Sequence, residues 1–134
     1  MTMQLAARPV PAPEPNPETQ AFWDAAKEGK LLIRRCGRCG EAHHYPRTIC
    51  PFCASHDTAW ECASGDGVIY SFSIMRHTAT PYAIAYVTLA EGPTMMTNIV
   101  DVDTEAIRIG LRVRVTFIPS EGGPPVPVFR PIDD

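Results

Sequence analysis

A chain of 134 residues is one domain's worth of sequence, and domains of that size bury little surface with which to hold themselves together. Hydrophobic content of 45% belongs to a globular protein, no stretch approaches the roughly 20 apolar residues of a membrane span, and 14 prolines with 9 glycines argue for short strands and many turns over long helices. The net charge of −3 hides an asymmetry: Lys27, Lys30, Arg34, Arg35, Arg38 and Arg47, half of the twelve basic residues, fall within 21 positions whose only acids are Glu28 and Glu41. Such a patch suits phosphates of nucleic acid or of a coenzyme, an acidic partner surface, or plain solvation. Residues 1–8 lack the charged start and long apolar run of a secretory signal, which places the chain in the cytoplasm. Reducing conditions there favour thiolates over disulfides.

Residues 1–17 form an arm in which Pro9, Pro11, Pro13, Pro15 and Pro17 alternate with other residues. That pattern excludes helix and sheet pairing and predicts a flexible or polyproline II segment, whose Pro-rich part would extend on the order of 28 Å at about 3.1 Å per residue. It is either a floppy leader or an arm lying on a partner. A helix follows, with Asn16 as cap, Pro17 at its first position, Glu18 at its positive end and Gly29 as its stop. Phe22, Ala25 and Ala26 share one face with Trp23 at its margin, a face that serves either the core or, as a docking surface, another subunit.

Residues 31–35 read as a strand into a first knuckle, Cys36-Gly37-Arg38-Cys39-Gly40, and residues 56–62 as the strand leaving a second, Cys50-Pro51-Phe52-Cys53. Two CxxC pairs ten residues apart can enclose one tetrahedral ion, and four thiolates close its coordination, so the site is structural, not catalytic. Zn²⁺ is the leading ligand, and iron in an S₄ site is its competitor. Gly40 supplies the positive φ that the turn toward sulfur needs. His43 and His44 lie in the spacer and are surplus to a site that Cys36, Cys39, Cys50 and Cys53 already complete.

From Gly65 the pattern changes to period two. Residues 68–75, 82–87, 94–100, 111–117 and 126–130 read as five short strands, with a turn at Glu91-Gly92 and a helical turn after Asp103. Leu111, Val113, Val115 and Phe117 point inward and Arg112 and Arg114 outward, while Tyr70, Phe72, Tyr82 and Tyr86 are expected to pack inward. The fold class is therefore mainly β: an N-terminal helix, a four-cysteine ribbon and a five-stranded OB barrel. A small open sandwich would alternate in the same way. The organisation is residues 1–17 as arm, 18–62 as helix and ribbon, and 63–134 as barrel.

Nothing in the chain assembles a nucleophile with its base. Cys62, outside the metal set, reads as a small buried hydrophobe, His56 and His77 have no partner that the sequence places beside them, and no paired carboxylates or phosphate loop appear. Single-stranded nucleic acid is a second class of ligand that ribbons and OB barrels both serve. It is disfavoured because residues 65–134 carry five arginines against eight acids.

These residues together resemble the DUF35 family, in which an N-terminal helix and a rubredoxin-like zinc ribbon precede an OB-fold domain. The likeness covers most of residues 18–131 and rests on Phe22-Trp23, Gly29-Lys30-Leu31, the CGRCG knuckle, Tyr45-Pro46-Arg47, the CPFC knuckle, Trp60, Ser64-Gly65-Asp66-Gly67, Tyr70, Pro81-Tyr82, Ile109-Gly110 and Val128-Phe129-Arg130-Pro131. The resemblance implies an acyl-CoA connection: an accessory subunit, in a hetero-oligomer, to a thiolase-like, lipid-transfer-type aldolase or enoyl-CoA hydratase partner that carries the catalytic groups. Arg34, Arg35, Arg38 and Arg47 then become candidates for CoA phosphates or acidic partner residues, and Phe22 and Trp23 for partner docking. Two features depart from the family pattern: the short loop over residues 76–80 and the prolines of the arm.

Overall fold

The computed structural model describes residues 4–5 and 7–132. In it the arm is built into a sheet: β1 (Gln4–Leu5) runs antiparallel to β8 (Val102–Asp103), and Pro11 forms an isolated parallel bridge with Glu121. This corrects the expectation that pairing is excluded over residues 1–17. Proline removes a donor only at its own position, and the carbonyls of Leu5 and Val10 still accept from the amides of Asp101 and Glu121 at 2.7 and 3.0 Å. Leu5 is fully buried. The signal-peptide reading falls in part on residues 1–3 and 6, and the barrel's expected end on 133–134, all outside the described residues.

Helix α1 (Gln20–Lys27) begins later than expected because Asn16 and Thr19 first close a turn on each other. The Asn16 Oδ1 accepts from the Thr19 amide and the Thr19 Oγ1 from the Asn16 amide, both at 3.0 Å. This is the reciprocity of a capping box, built from Asn and Thr. Gly29, at φ 76°, stops the helix as expected, with the Lys30 and Gly29 amides bonded back to the Ala25 and Ala26 carbonyls in a Schellman motif. Glu18 lowers its pKa by accepting from the Thr48 amide and, with Arg47 3.6 Å away, staples the helix entry to the ribbon.

The ribbon is a three-stranded antiparallel sheet with β2 (Leu32–Cys36) between β3 (Ala42–His43) and β4 (Thr58–Cys62). The barrel is closed, in the order β10 (Val126–Pro131), β7 (Thr94–Ile99), β6 (Tyr82–Leu89), β5 (Asp66–Met75), β9 (Arg112–Ile118), and back to β10. β10 runs parallel to β7, with the single register pair Phe129–Ile99. The two parts share one core: Phe22, Leu31, Ile33 and Ala42 cluster with barrel residues such as Ile69, Val87, Ile99, Val113 and Phe129. No helix among the described residues is long and apolar enough to cross a membrane.

Strand β5 carries a bulge. Ile69 lies opposite Val87 but Ser71 lies opposite Tyr86, so Tyr70 is an extra residue and the inward phase slips from Ile69 to Phe72 and Ile74. On β6 the small residues Ala83, Ala85 and Val87 face in. The inward placement expected of Tyr70, Tyr82 and Tyr86 is therefore wrong: Tyr70 is 67% and Tyr86 46% exposed, and Tyr82 lies half-buried beneath the Arg8 guanidinium, 4.3 Å from its ring. Phe72 and the predicted set Leu111, Val113, Val115 and Phe117 do pack on the core.

Candidate metal centre and outer face

The two knuckles repeat one backbone device. The amide of each leading cysteine bonds five residues ahead, Cys36 to the Glu41 carbonyl and Cys50 to that of Ser55, and the carbonyl of each accepts from four residues ahead, Gly40 and Ala54. Gly40 and Ala54 both take positive φ, 80° and 64°, which turns each chain back toward its sulfurs. The first of these was legible as glycine; alanine gave no such signal.

The result is a cluster of Cys36, Cys39, Cys50 and Cys53 whose Sγ atoms all lie within 4.8 Å of one another, positioned to bind one metal ion. The closest pairs, Cys36–Cys53 and Cys39–Cys50, are 3.6 Å apart. Backbone amides of Cys39 and Arg38 point at the Cys36 Sγ, and that of Phe52 at the Cys50 Sγ, all at 3.4 Å. The Cys39 amide first, with that of Arg38, holds the Cys36 thiol down to about 6. At Cys39 a hydrogen bond to the Glu41 backbone favours the thiolate, but burial and the sulfurs of Cys50, Cys36 and Cys53 outweigh it and push the group up to about 12. Four sulfurs this close cannot all be anions without a cation among them, which is the electrostatic signature of a metal site.

Neither spacer histidine joins the cluster. His43 Nε2 faces the Arg47 carbonyl at 3.3 Å, and His44 stacks edge-on against Phe22 with ring centroids 5.7 Å apart. Burial, with a contribution from His43, depresses the His44 pKa from 6.5 to about 4. The folded chain thus keeps His44 neutral where the unfolded chain protonates it, and stability is full above pH 6.5 and falls as pH drops toward 4. Between pH 8 and pH 5 we expect a loss of about 2 kcal/mol from this group. Urea denaturation at the two pH values, with metal content followed in parallel, measures it; a His44→Phe chain should lose this component of the slope.

The candidate arginines are used unequally. Arg34 is 8% exposed, donates to the Thr58 carbonyl and Oγ1 at 2.9 and 2.8 Å, and lies 4.7 Å from the Trp60 ring. Arg35 grips Glu61 with two bonds of 3.0 Å and reaches the Gly40 carbonyl at 2.9 Å. Arg47 stacks on Tyr45 beside Glu18 but stays more than half exposed, and Arg38 is exposed at the knuckle. Of the helix pair, Phe22 is 5% exposed in the chain's own core, so the face expected to dock outward folds inward; Trp23 packs edge-on against it, half-buried. Cys62 is exposed, not buried as expected, its thiol 3.7 Å from the Ala63 carbonyl.

An outward apolar surface lies on the barrel, apart from the exposed Tyr45, Ile49 and Phe52 of the ribbon. Tyr86 sits in register between Ser71 and Met96, with Tyr70 at the bulge beside them. Met96 is 63% exposed, so Tyr70, Tyr86 and Met96 form an apolar row across the outer face of β5, β6 and β7. An all-apolar run such as residues 82–87 does not disclose its phase, which is why the row escaped the sequence reading.

A four-cysteine ribbon sharing its core with a closed five-stranded barrel defines a ribbon-plus-OB-fold protein. Residues 23–59 match the rubredoxin-like zinc ribbon domain of ChsH2, and residues 60–117 its C-terminal OB-fold domain. A DUF35 domain-containing scaffold protein of Methanocaldococcus jannaschii is 36% identical over 104 residues, covering 71% of this chain and 73% of that protein. The chain belongs to the DUF35 family. A probable enoyl-CoA hydratase alpha subunit of Thermomonospora curvata is 36% identical over 132 residues, which cover 94% of this chain but only 40% of that longer protein. Among solved structures, a chain of an Ltp2-ChsH2(DUF35) aldolase superposes with a TM-score of 0.78 at 34% identity, covering 89% of this chain and 98% of that one.

Proposed function

We propose that this chain is a non-catalytic accessory subunit that docks on an aldolase, hydratase or thiolase-like partner acting on acyl-CoA, and that its four cysteines hold one structural Zn²⁺. The observation that carries the reading is the structural likeness to a chain of the Ltp2-ChsH2(DUF35) aldolase, 98% of which is covered at 34% identity. The donor set of four thiolates, with no place left for water, favours a structural ion over a catalytic one. Five arginines against eight acids over residues 65–134 speak against a nucleic-acid groove, even with aromatic side chains turned outward.

The docking surface in this reading is the row of Tyr70, Tyr86 and Met96, since exposed apolar patches of this kind mark interaction sites and Phe22 is occupied within the chain. Of the four arginines of the ribbon, Arg38 and Arg47 are the ones left for CoA phosphates or partner carboxylates, because Arg34 and Arg35 are committed inside the ribbon. The test is co-purification, from the source cell, with an aldolase, hydratase or thiolase-like subunit. Tyr86→Asp with Met96→Asp should weaken that complex by about 100-fold or more, the scale of losing interface anchors, while metal content and circular dichroism stay as in the parent. An undiminished complex would remove the row from the interface. Salt-sensitive oligonucleotide binding with no enzyme partner would overturn the proposal as a whole.

A further inference from the structure

The arm crosses the outer side of the barrel over the place where its closure is thinnest. β7 and β10 meet through one register pair, Phe129–Ile99, and the arm lies along the seam beside them. Two cavities of about 320 Å³ each flank it. One lies between Arg8, Val10 and Pro11 of the arm and Ile84, Asn98 and Val128 of the barrel; the other lies between Pro13 and Glu14 of the arm and Trp23, His44 and Met95. Both have Met96 and Pro127 in their walls, so they adjoin, and the arm runs from one to the other through residues 11–13.

The arm's attachment over these cavities is slight in backbone terms. Among the described residues between the buried anchor Leu5 and the Asn16 turn, a single backbone hydrogen bond of 3.0 Å runs from the Glu121 amide to the Val10 carbonyl. Alternate prolines supply no donors for more. Side chains contribute the Arg8–Tyr82 stack, the nearly buried Val10 and the seat of Ala12 on Gly123. That seat is tight: a Cβ at Gly123 would stand 2.7 Å from the Ala12 Cβ, so a side chain at residue 123 would push the arm aside. A proline-rich segment also loses little conformational freedom when it docks, and so can lie down and lift without a large entropic term.

We propose that residues 7–15 are a displaceable strap, and that lifting it joins the two cavities into one groove for an uncharged, extended apolar chain. The ionic side chains along its walls, Arg8 and Glu14, both come from the strap and stand one in each cavity, while prolines, methionines, aromatic rings and aliphatic side chains supply most of the rest. Naming the chain as the acyl part of a thioester rests on the function proposed above; the strap itself does not.

Hydrogen exchange on the full chain reads the strap directly. The Glu121 amide is bonded to the strap, and the Val115 amide to the Gly65 carbonyl at 2.8 Å within the barrel. Glu121 should exchange about 100-fold or more faster than Val115, as expected when a segment opens without global unfolding. Gly123→Val should abolish the remaining protection at Glu121 and leave Val115 unchanged. It should also raise affinity for N-phenyl-naphthylamine, an uncharged apolar fluorophore, by about tenfold, the gain expected when a closed state no longer competes, with decanol displacing it. Exchange of Glu121 and Val115 at one common rate would overturn the strap, and needs no variant to fold. A lifted strap with no gain in fluorophore binding would overturn the groove. Either failure leaves the co-purification test intact, and failure of that test leaves the strap and groove standing without an acyl ligand.

Discussion

Replacement of Cys50 by serine should release the metal and unfold the ribbon. Cys50 is 1% exposed, its Sγ lies 3.6 Å from that of Cys39, and its amide and carbonyl are both tied into the second knuckle. A structural zinc contributes about 10–16 kcal/mol of apparent binding free energy, more than the whole stability of most domains, at about 5–15 kcal/mol. The loss does not stop at the ribbon, because Leu31, Ile33 and Ala42 belong to the same core as the barrel strands. Elemental analysis should find one zinc per parent chain and none in the variant, and the Cys36 amide, bonded to the Glu41 carbonyl, should lose its protection. A red, iron-containing parent would reject zinc. A Cys50→Ser chain that keeps full metal and fold would reject the structural role.

The second large effect is expected at Phe129. It is fully buried, it is the largest such side chain, and it stands where β10 meets both neighbours: opposite Val115 on β9 and Ile99 on β7, with its carbonyl accepting from the Val100 amide at 2.8 Å. Phe129→Ala should cost about 3–5 kcal/mol through lost burial and the cavity left behind. The cost should reach the upper end, because the β7–β10 seam has little other pairing with which to collapse around the gap. Denaturant midpoints in the presence of excess zinc measure it. A loss below about 1 kcal/mol, the scale of a surface change, would mean that the barrel closes without this residue.

What could be read from the residues alone followed from short-range chemistry. The CxxC spacing, the Gly29 stop and the period-two strands are local patterns, and each appears in the structure where expected. What escaped depended on distant partners or on a change of phase. Arg34 and Arg35 looked like free cations because Thr58 and Glu61, which occupy them, lie 24 and 26 residues away. The prolines of the arm concealed the non-proline carbonyls that pair. Tyr70 reads as inward when an uninterrupted alternation is carried through a strand that contains one residue too many, and Tyr86 because the all-apolar run over residues 82–87 does not disclose its phase.

That extra residue separates two demands that usually constrain each other. Along a regular strand, altering which residues face solvent also shifts which residues face the interior. At the Tyr70 bulge the interior is complete with Ile69 before it and Phe72 after it, so position 70 answers to nothing inside the barrel. A side chain there can serve a contact outside the barrel alone, so a scaffold of this kind can suit a partner without renegotiating its own folding.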